Sequence, residues 1–342
     1  MAQEKKKISK GQLRTVIVGI ISIVFVVVIL ILNSFIPVKY LSSYMVTKNA
    51  APSGTMRVRY VDVGYGDCII VELPDGKNML IDGGTGTDKN RKRVLKFLNK
   101  ADIDTIDYLV CTSPRGEHCG SLAEVVKYKS VKRVYMPYCT NEYITDEYSE
   151  FCLAVQSSGA ECVISEYGTG VSNSEYGYFF GFLSPSNHNE QSSSSEYYQL
   201  NTNPTTQTIA ASSAVMWLEY AGTSFLFTSH TTSDVLEKIV TAYNLARSED
   251  KEYLTIGGNP IRLENCNVVQ VAAHASTIGK YLTFYNTLMP DMAVVSTGTN
   301  GEDTLSTDVI SDVTYLVKNN IYMTNKLGTI TIDVTADGYS VV

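Results

Sequence analysis

Histidine is scarce in this chain, with four in 342 residues, so any imidazole chemistry has to be assembled from His118, His188, His230 and His274. Charge is absent altogether between Thr15 and Val38. As a helix those residues would run about 36 Å at 1.5 Å per residue, enough to cross a hydrocarbon core of about 30 Å. The run is too long for the apolar part of a secretory signal, and no small-x-small cleavage pattern follows it. The chain reads Asn33-Ser34-Phe35-Ile36-Pro37 instead, so an uncleaved anchor is expected. No fixed-period repeat is present, which excludes a solenoid or propeller. Seven cysteines are an odd number, which in an exported chain leaves at least one thiol unpaired or shared between molecules. Cys68 and Cys111 lie in apolar, strand-like runs and are expected to pack as small hydrophobes. Cys152 and Cys162 are candidates for a bridge.

What is present orients the anchor. Residues 1–14 carry Lys5, Lys6, Lys7, Lys10 and Arg14 against Glu4, a net +4 beside the apolar run. The positive-inside rule makes that tail cytoplasmic and everything after the span (15–38) extracytoplasmic, so the chain is expected in the cell membrane as a single-pass protein. Residues 39–55, rich in Ser, Ala, Pro and Gly, read as a flexible tether. Without the tail the net charge of -7 becomes -11, and a field of that sign repels polyanions, so net charge does not support DNA binding.

From 56 to 342 the pattern is that of one large α/β domain. Val58, Tyr60 and Val61-Asp62-Val63, then Cys68–Leu73 and Asn78–Asp82, are short strands separated by Gly64-Tyr65-Gly66-Asp67 and Pro74-Asp75-Gly76 turns. A helix over Lys89–Asn99 has Val94, Leu95 and Leu98 at helical spacing and precedes a buried strand at Tyr108–Cys111. Strand-helix alternation continues through Val131–Met136, Asp146–Ser158, Glu161–Ile164 and Tyr178–Leu183. Residues 184–213, rich in Ser, Asn, Thr and Gln, form a low-complexity loop. Beyond it come a hairpin at 215–227, a helix at Asp234–Arg247, strands at Val268–Ala272 and Met292–Ser296, helices near Ile278–Leu288 and Ser306–Lys318, and a closing hairpin. A strand meander followed by strand-helix alternation, given twice, implies two packed sheets with helices outside.

Four blocks carry a specific resemblance. Val61-Asp62-Val63-Gly64-Tyr65-Gly66-Asp67 stands for DVGQGD, and Leu73-Pro74-Asp75-Gly76-Lys77-Asn78 runs into Leu80-Ile81-Asp82-Gly83-Gly84. Ile106–His118 occupies the place of IDYLVLTHPHxDH. Phe225-Leu226-Phe227-Thr228-Ser229-His230 stands for FLFTGD, followed by Val271-Ala272-Ala273-His274-Ala275-Ser276 in place of a GHHGS-like loop. In these blocks the chain resembles the metallo-β-lactamase-type domain of ComEC-type DNA-internalisation competence proteins. The resemblance implies an αββα four-layer sandwich, with loops at the strand ends that hold two divalent metals and activate water against an ester or amide. The polytopic channel that accompanies the domain in competence proteins is missing, so this chain alone is not expected to import DNA.

The implied metal ligands are mostly replaced. Ser113 and Arg115 stand where the first two histidines of the HxHxDH segment belong, and an arginine cannot shed its proton to become a ligand. Glu117 replaces the aspartate, His118 keeps the last histidine, His230 stands at the bridging aspartate, and Ala273 takes a histidine position one residue before His274. Two readings follow. Glu117, His118, His230 and His274 can hold one zinc-like ion, giving a one-metal hydrolase for a phosphodiester or other ester. Alternatively the domain binds no metal and is a non-catalytic binding or envelope-associated module for an unknown partner, with Arg115 in the vacated metal volume paired to Glu117. The repulsion between a guanidinium and a divalent ion favours the second reading. Asp82 is expected to orient the metal loops. Asp62 and Asp67 are expected to hold the Gly-Tyr-Gly turn by side-chain hydrogen bonds, with Tyr65 directed into the cleft. Cys119 reads as a packed thiol, and His188 as a solvated loop residue.

Overall fold

The computed structural model describes residues 10–35, 38–137, 145–185, 212–248, 254–298 and 305–342, and the chain divides into two units, Met1–Val46 and Thr47–Val342. In the first unit, helix α1 (Lys10–Phe35) contains a stretch, Lys10–Ile31, long and apolar enough to cross a membrane. Lys10–Phe35 covers residues 15–35 of the expected span, 15–38, and Ile36 and Pro37 lie outside the described residues. A 3₁₀ turn, Val38–Tyr40, and the short α2 (Leu41–Tyr44) follow.

The second unit opens with strands β1 (Met56–Tyr60), β2 (Ile69–Glu72), β3 (Asn78–Ile81), β4 (Thr105–Val110), β5 (Ser130–Met136) and β6 (Glu161–Ile164). Helix α3 (Asp88–Lys100) joins β3 to β4, α4 (Gly116–Cys119) and α5 (Leu122–Tyr128) join β4 to β5, and α6 (Asp146–Ser158) joins β5 to β6. The second half repeats the plan with β7 (Gly170–Asn173), β8 (Tyr178–Ser184), β9 (Val215–Tyr220), β10 (Thr223–Phe227) and helix α7 (Ser233–Ser248). A small ribbon follows, β11 (Leu254–Ile256) with β12 (Asn259–Ile261), then β13 (Val268–Gln270), α8 (Leu282–Leu288), β14 (Met292–Val295), α9 (Thr307–Leu316) and β15 (Ile321–Met323). After α10 (Thr324–Leu327), the chain returns to the first sheet with β16 (Ile330–Thr335) and β17 (Gly338–Val341).

The sheets run β17-β16-β1-β2-β3-β4-β5-β6 and β15-β14-β13-β10-β9-β8-β7. In each, an antiparallel meander gives way to parallel strands, from β3 to β6 in the first and from β10 through β13 to β15 in the second. Parallel strands need helical crossovers, and those helices cover the outer faces. Period-two alternation then sorts side chains between two apolar environments. Ile69 and Val71, like Phe225 and Phe227, enter the layer between the sheets. Ile70 faces α3, α5 and α6, while Leu226 faces α7, α8 and α9. The result is the αββα four-layer sandwich. Helix α3 starts where the Thr87 hydroxyl accepts from the Asn90 N–H, and it buries Val94, Leu95 and Leu98.

Two expectations change, and a third falls mostly outside the described residues. Residues 49–55 are strapped to the domain and do not form a free tether. The Asn49 N–H donates to the Lys100 carbonyl at 2.6 Å and the Ala51 N–H to Glu72 Oε1 at 2.5 Å. Arg57 and Arg59, buried on β1, donate to the Ala50 and Asn49 carbonyls. Composition suggested freedom, but buried arginines need acceptors and the strap supplies them. Cys152 and Cys162 are free thiols, with Cys152 packed against the α6 core side and Cys162 exposed on edge strand β6, so the bridge is absent. In the expected loop 184–213, Ser184 closes β8, while 186–211, including His188, lie outside the described residues.

Candidate metal centre

The parallel strands end at one edge, and the loops leaving β3, β4, β10, β13 and β14 supply the side chains that meet there. Ligand sites in α/β sheets form at these carboxyl ends because the chain leaves the sheet with its backbone groups unpaired and its side chains converging. Asp82 follows β3 in left-handed conformation, φ 58°. Its Oδ1 accepts from the Thr112 N–H at 2.8 Å, and its Oδ2 accepts from the Thr112 hydroxyl at 2.5 Å and from His118 Nδ1 at 2.8 Å. The Thr112 hydroxyl also meets Ser229 Oγ at 2.5 Å, tying the first sheet's loop to the second's.

The Asp82 bond fixes the tautomer of His118 and leaves its buried Nε2 with no hydrogen-bond partner among the described residues. His274 is set in the same way, with Nδ1 donating to the Ser296 carbonyl at 2.8 Å and a buried Nε2 without a partner. His230 completes the group, with ring centroids 5.8 Å from His118 and 5.4 Å from His274. One ligand atom each from Glu117, His118, His230 and His274 lie within 4.8 Å of one another, and all four residues are buried. Two buried nitrogens without partners, each oriented through its other nitrogen, are what a metal ligand looks like when its supporting shell is in place. An unsatisfied buried polar atom otherwise costs about 1–3 kcal/mol. Three imidazoles and a carboxylate therefore fit one divalent ion. A second cluster, Asp67, Asp82 and His118, shares His118 and uses an Asp82 already committed to Thr112, so it is no independent site.

Arg115 does not point to solvent. It is buried, and its Nε donates to Glu117 Oε1. The guanidinium pairs with Glu117, and the same carboxylate stands 3.9 Å from His230 Nδ1. Burial would raise the Glu117 carboxyl, yet His118 and Arg115 outweigh it and hold it below its usual range. Burial would lower His118, but Asp82, then Asp67 and Glu117, push its imidazolium up to about 9. Ser113 is fully buried in the same loop and offers a hydroxyl, not a ligand nitrogen.

The turn chemistry treats Asp62 and Asp67 alike, and the structure separates them. Asp62 Oδ1 accepts from the Gly64 N–H at 3.0 Å and holds the turn, while its Oδ2 lies 3.4 Å from Arg93, so it stands apart from the cluster. Asp67 turns inward, 3.5 Å from His118 Nδ1 and 3.8 Å from His274 Nδ1, with burial pushing its carboxyl above the usual range. Gly66 makes this inward turn possible: at φ 126° its absent Cβ would stand 2.3 Å from the Glu117 carbonyl oxygen. Tyr65 caps the cluster, its ring centroid 4.6 Å from that of His274. Thr112, Ser229 and Ser296 act through hydroxyl or carbonyl groups, which carry no motif signal in the sequence.

Residues 61–150 match the profile of the Metallo-beta-lactamase superfamily. Among solved structures, a mutant of the CmlA beta-hydroxylase is 14% identical with a TM-score of 0.48, covering 83% of this chain and 54% of its own. The match thus spans about half the length of that protein. Tm1679, described as a metal-dependent hydrolase of the beta-lactamase superfamily, is 12% identical with a TM-score of 0.44, covering 79% of this chain and 96% of its own. A Cronobacter sakazakii metallo-beta-lactamase with a HARLDQ motif is 10% identical with a TM-score of 0.33, covering 55% of this chain and 72% of its own. No curated protein matches in sequence.

Two outcomes are expected of this geometry. Arg115→Ala leaves the buried Glu117 carboxylate without its cation, and urea unfolding of the metal-free chain should show a loss of about 3–5 kcal/mol. The second concerns pH. The His118 imidazolium is favoured in the fold, about 9 against an ordinary 6.5, so its contribution is complete below 6.5 and is lost as pH rises through 9. With chelator present, unfolding free energy should fall over that window by more in the parent chain than in His118→Gln. Parallel profiles for the two proteins would refute the charged His118–Asp82 pair.

Proposed function

We propose that this chain is a membrane-anchored, extracytoplasmic module of metallo-β-lactamase fold whose site is reduced to a single zinc-like divalent ion, and that it binds an envelope ligand instead of working as a two-metal hydrolase. The observation that carries the reading is the convergence of His118, His230, His274 and Glu117, with the tautomers of His118 and His274 fixed by Asp82 and the Ser296 carbonyl. Four protein ligands close a coordination sphere, and closed spheres are structural. Arg115 supports the loss of the second ion, since a guanidinium beside Glu117 supplies the charge that another cation would bring. The motif blocks shared with ComEC-type proteins support descent from a hydrolase scaffold. The basic tail preceding an apolar helix supports the orientation.

A one-metal hydrolase acting on a phosphodiester or other ester is the second reading, favoured by one contact: Glu117 is shared with Arg115. If Arg115 keeps the carboxylate, three imidazoles remain and the fourth position opens. A divalent ion in such a site supplies Lewis acidity. This chain's own contributions would be the orientation of His118 by Asp82, a cation at Arg115 for an anionic group, and the Tyr65 ring over His274.

Elemental analysis of the full-length chain in detergent is expected to give about one divalent ion per chain, absent from His118→Ala, with chelator lowering the melting temperature of the parent only. Two tightly held ions would overturn the ligand assignment. Chelator-sensitive hydrolysis of bis-p-nitrophenyl phosphate that His118→Ala abolishes would establish the hydrolase reading. For the topology, protease added to intact, wall-stripped cells should release a fragment close to residues 47–342; full protection would place the domain on the other side.

A further inference from the structure

Helix α3 carries six basic residues, Lys89, Arg91, Lys92, Arg93, Lys96 and Lys100, against the single acid Asp88. This stands out in an exported part whose net charge is -11. Five of them, Lys89, Lys92, Arg93, Lys96 and Lys100, stand at positions i, i+3, i+4, i+7 and i+11 and so form one stripe, opposite the face that buries Val94, Leu95 and Leu98. Arg91 lies off the stripe and leans on Glu150 at 3.8 Å, and Arg93 is drawn to Asp62. Lys89 and Lys96 are exposed. The C-terminal end of the stripe is also where the strap enters the domain. The Asn49 N–H donates to the Lys100 carbonyl, and Lys48 pairs with Asp102 at 2.6 Å.

We propose that the α3 stripe is a docking surface for anionic phospholipid headgroups, so that the domain is held to the membrane at two points, by the apolar helix and by this face. This rests on the anchor reading of α1 and is independent of what the metal centre does. The argument for a lipid partner is connectivity and charge together. About 14 residues separate Phe35 from Asn49, which limits the chain between them to about 50 Å even when fully extended. Tethering at that range raises the effective concentration of the surface so far that modest affinity suffices. Each lysine near an anionic surface contributes about a fivefold preference, screened within about 8–10 Å at physiological salt. Nucleic acid also presents phosphates, but a duplex would feel the acidic remainder of the domain, whereas a planar surface is met by the stripe alone.

The test uses the full chain reconstituted in vesicles of phosphatidylcholine alone or with 30% phosphatidylglycerol. Lysine acetylation is read by mass spectrometry, and carbonate extraction reports separately whether α1 is inserted. Labelling of Lys89 and Lys96 is expected to slow by about threefold or more in the anionic vesicles and to recover in 0.5 M salt. Backbone hydrogen exchange over 88–100 should slow in parallel, and in Lys89→Glu/Lys96→Glu it should no longer respond to lipid. Lys89→Gln/Lys96→Gln, which leaves the helix-forming pattern intact, should lose most of the response. Equal labelling in both vesicle types, with α1 inserted, overturns the proposal, as does stronger protection by a short DNA duplex in neutral vesicles. Extraction by carbonate would instead refute the anchor.

Discussion

The buried carboxylate of Asp82 is the contact on which the site depends. It is fully inaccessible, and an ionised carboxylate in such a place is tolerable only when its oxygens are hydrogen-bonded. Thr112 meets both oxygens and His118 meets one. Those bonds decide the path of the loop leaving β4, since the Thr112 backbone and side chain are pinned together. Through Ser229 the same hydroxyl fixes where the loop after β10 arrives. His230 is the next residue, so its position follows from a network that begins on the other sheet. Each bond in this network sets where the next can form, so the placement of His118, His230 and Glu117 is better regarded as one arrangement than as three.

Most of the architecture was legible because it rests on apolar periodicity. Runs such as Cys68–Val71 and Met292–Val295 are apolar at successive positions, and only a strand buried on both faces requires that. The convergence of Glu117, His118, His230 and His274 is different in kind. More than a hundred residues separate His118 from His230, and nothing in spacing brings them together; only the resemblance of their loops to known strand-end loops does. Asp67 shows the limit of local reasoning. The turn chemistry of Asp62–Asp67 predicts two capping carboxylates, but a carboxylate caps only if the chain keeps it outside. Gly66, lying against the Glu117 carbonyl, turns Asp67 inward instead. The strap at 49–55 was hidden for the opposite reason: its composition is that of a linker, and what holds it are arginines on a strand that follows it.

The opposition between an arginine and a metal ion is also less sharp than charge alone suggests. A guanidinium directly facing a divalent ion would be repelled strongly at low effective dielectric. Here Glu117 stands between Arg115 and the imidazoles, and a carboxylate shared by two cations screens each from the other. The cost is a divided ligand. A Glu117 engaged by Arg115 is a weaker donor to an ion, so the same residue that makes Arg115 compatible with a metal sets how firmly the fourth position is closed.

Backbone strain points to where the fold is constrained by more than packing. Of ten non-glycine residues with positive φ among the described ones, five lie in these loops: Asp82, Ser229, Ala273, His274 and Ala275. Left-handed geometry costs a residue with a Cβ about 1–2 kcal/mol, and three such residues in succession have no counterpart elsewhere in the described chain. They are held by the Ala273 N–H to the Ser229 carbonyl, the Ser276 N–H to the Ala273 carbonyl, and His274 to the Ser296 carbonyl. None of these bonds requires the left-handed run for the sheets to pack, since β13 and β14 pair before it begins. What the run does is turn the His274 ring back toward His118, stacked at 5.4 Å. A loop serving only as a connection could avoid the strain with glycine. Persistence of the strain with alanine and histidine in place indicates that the direction of the imidazole is what the loop maintains.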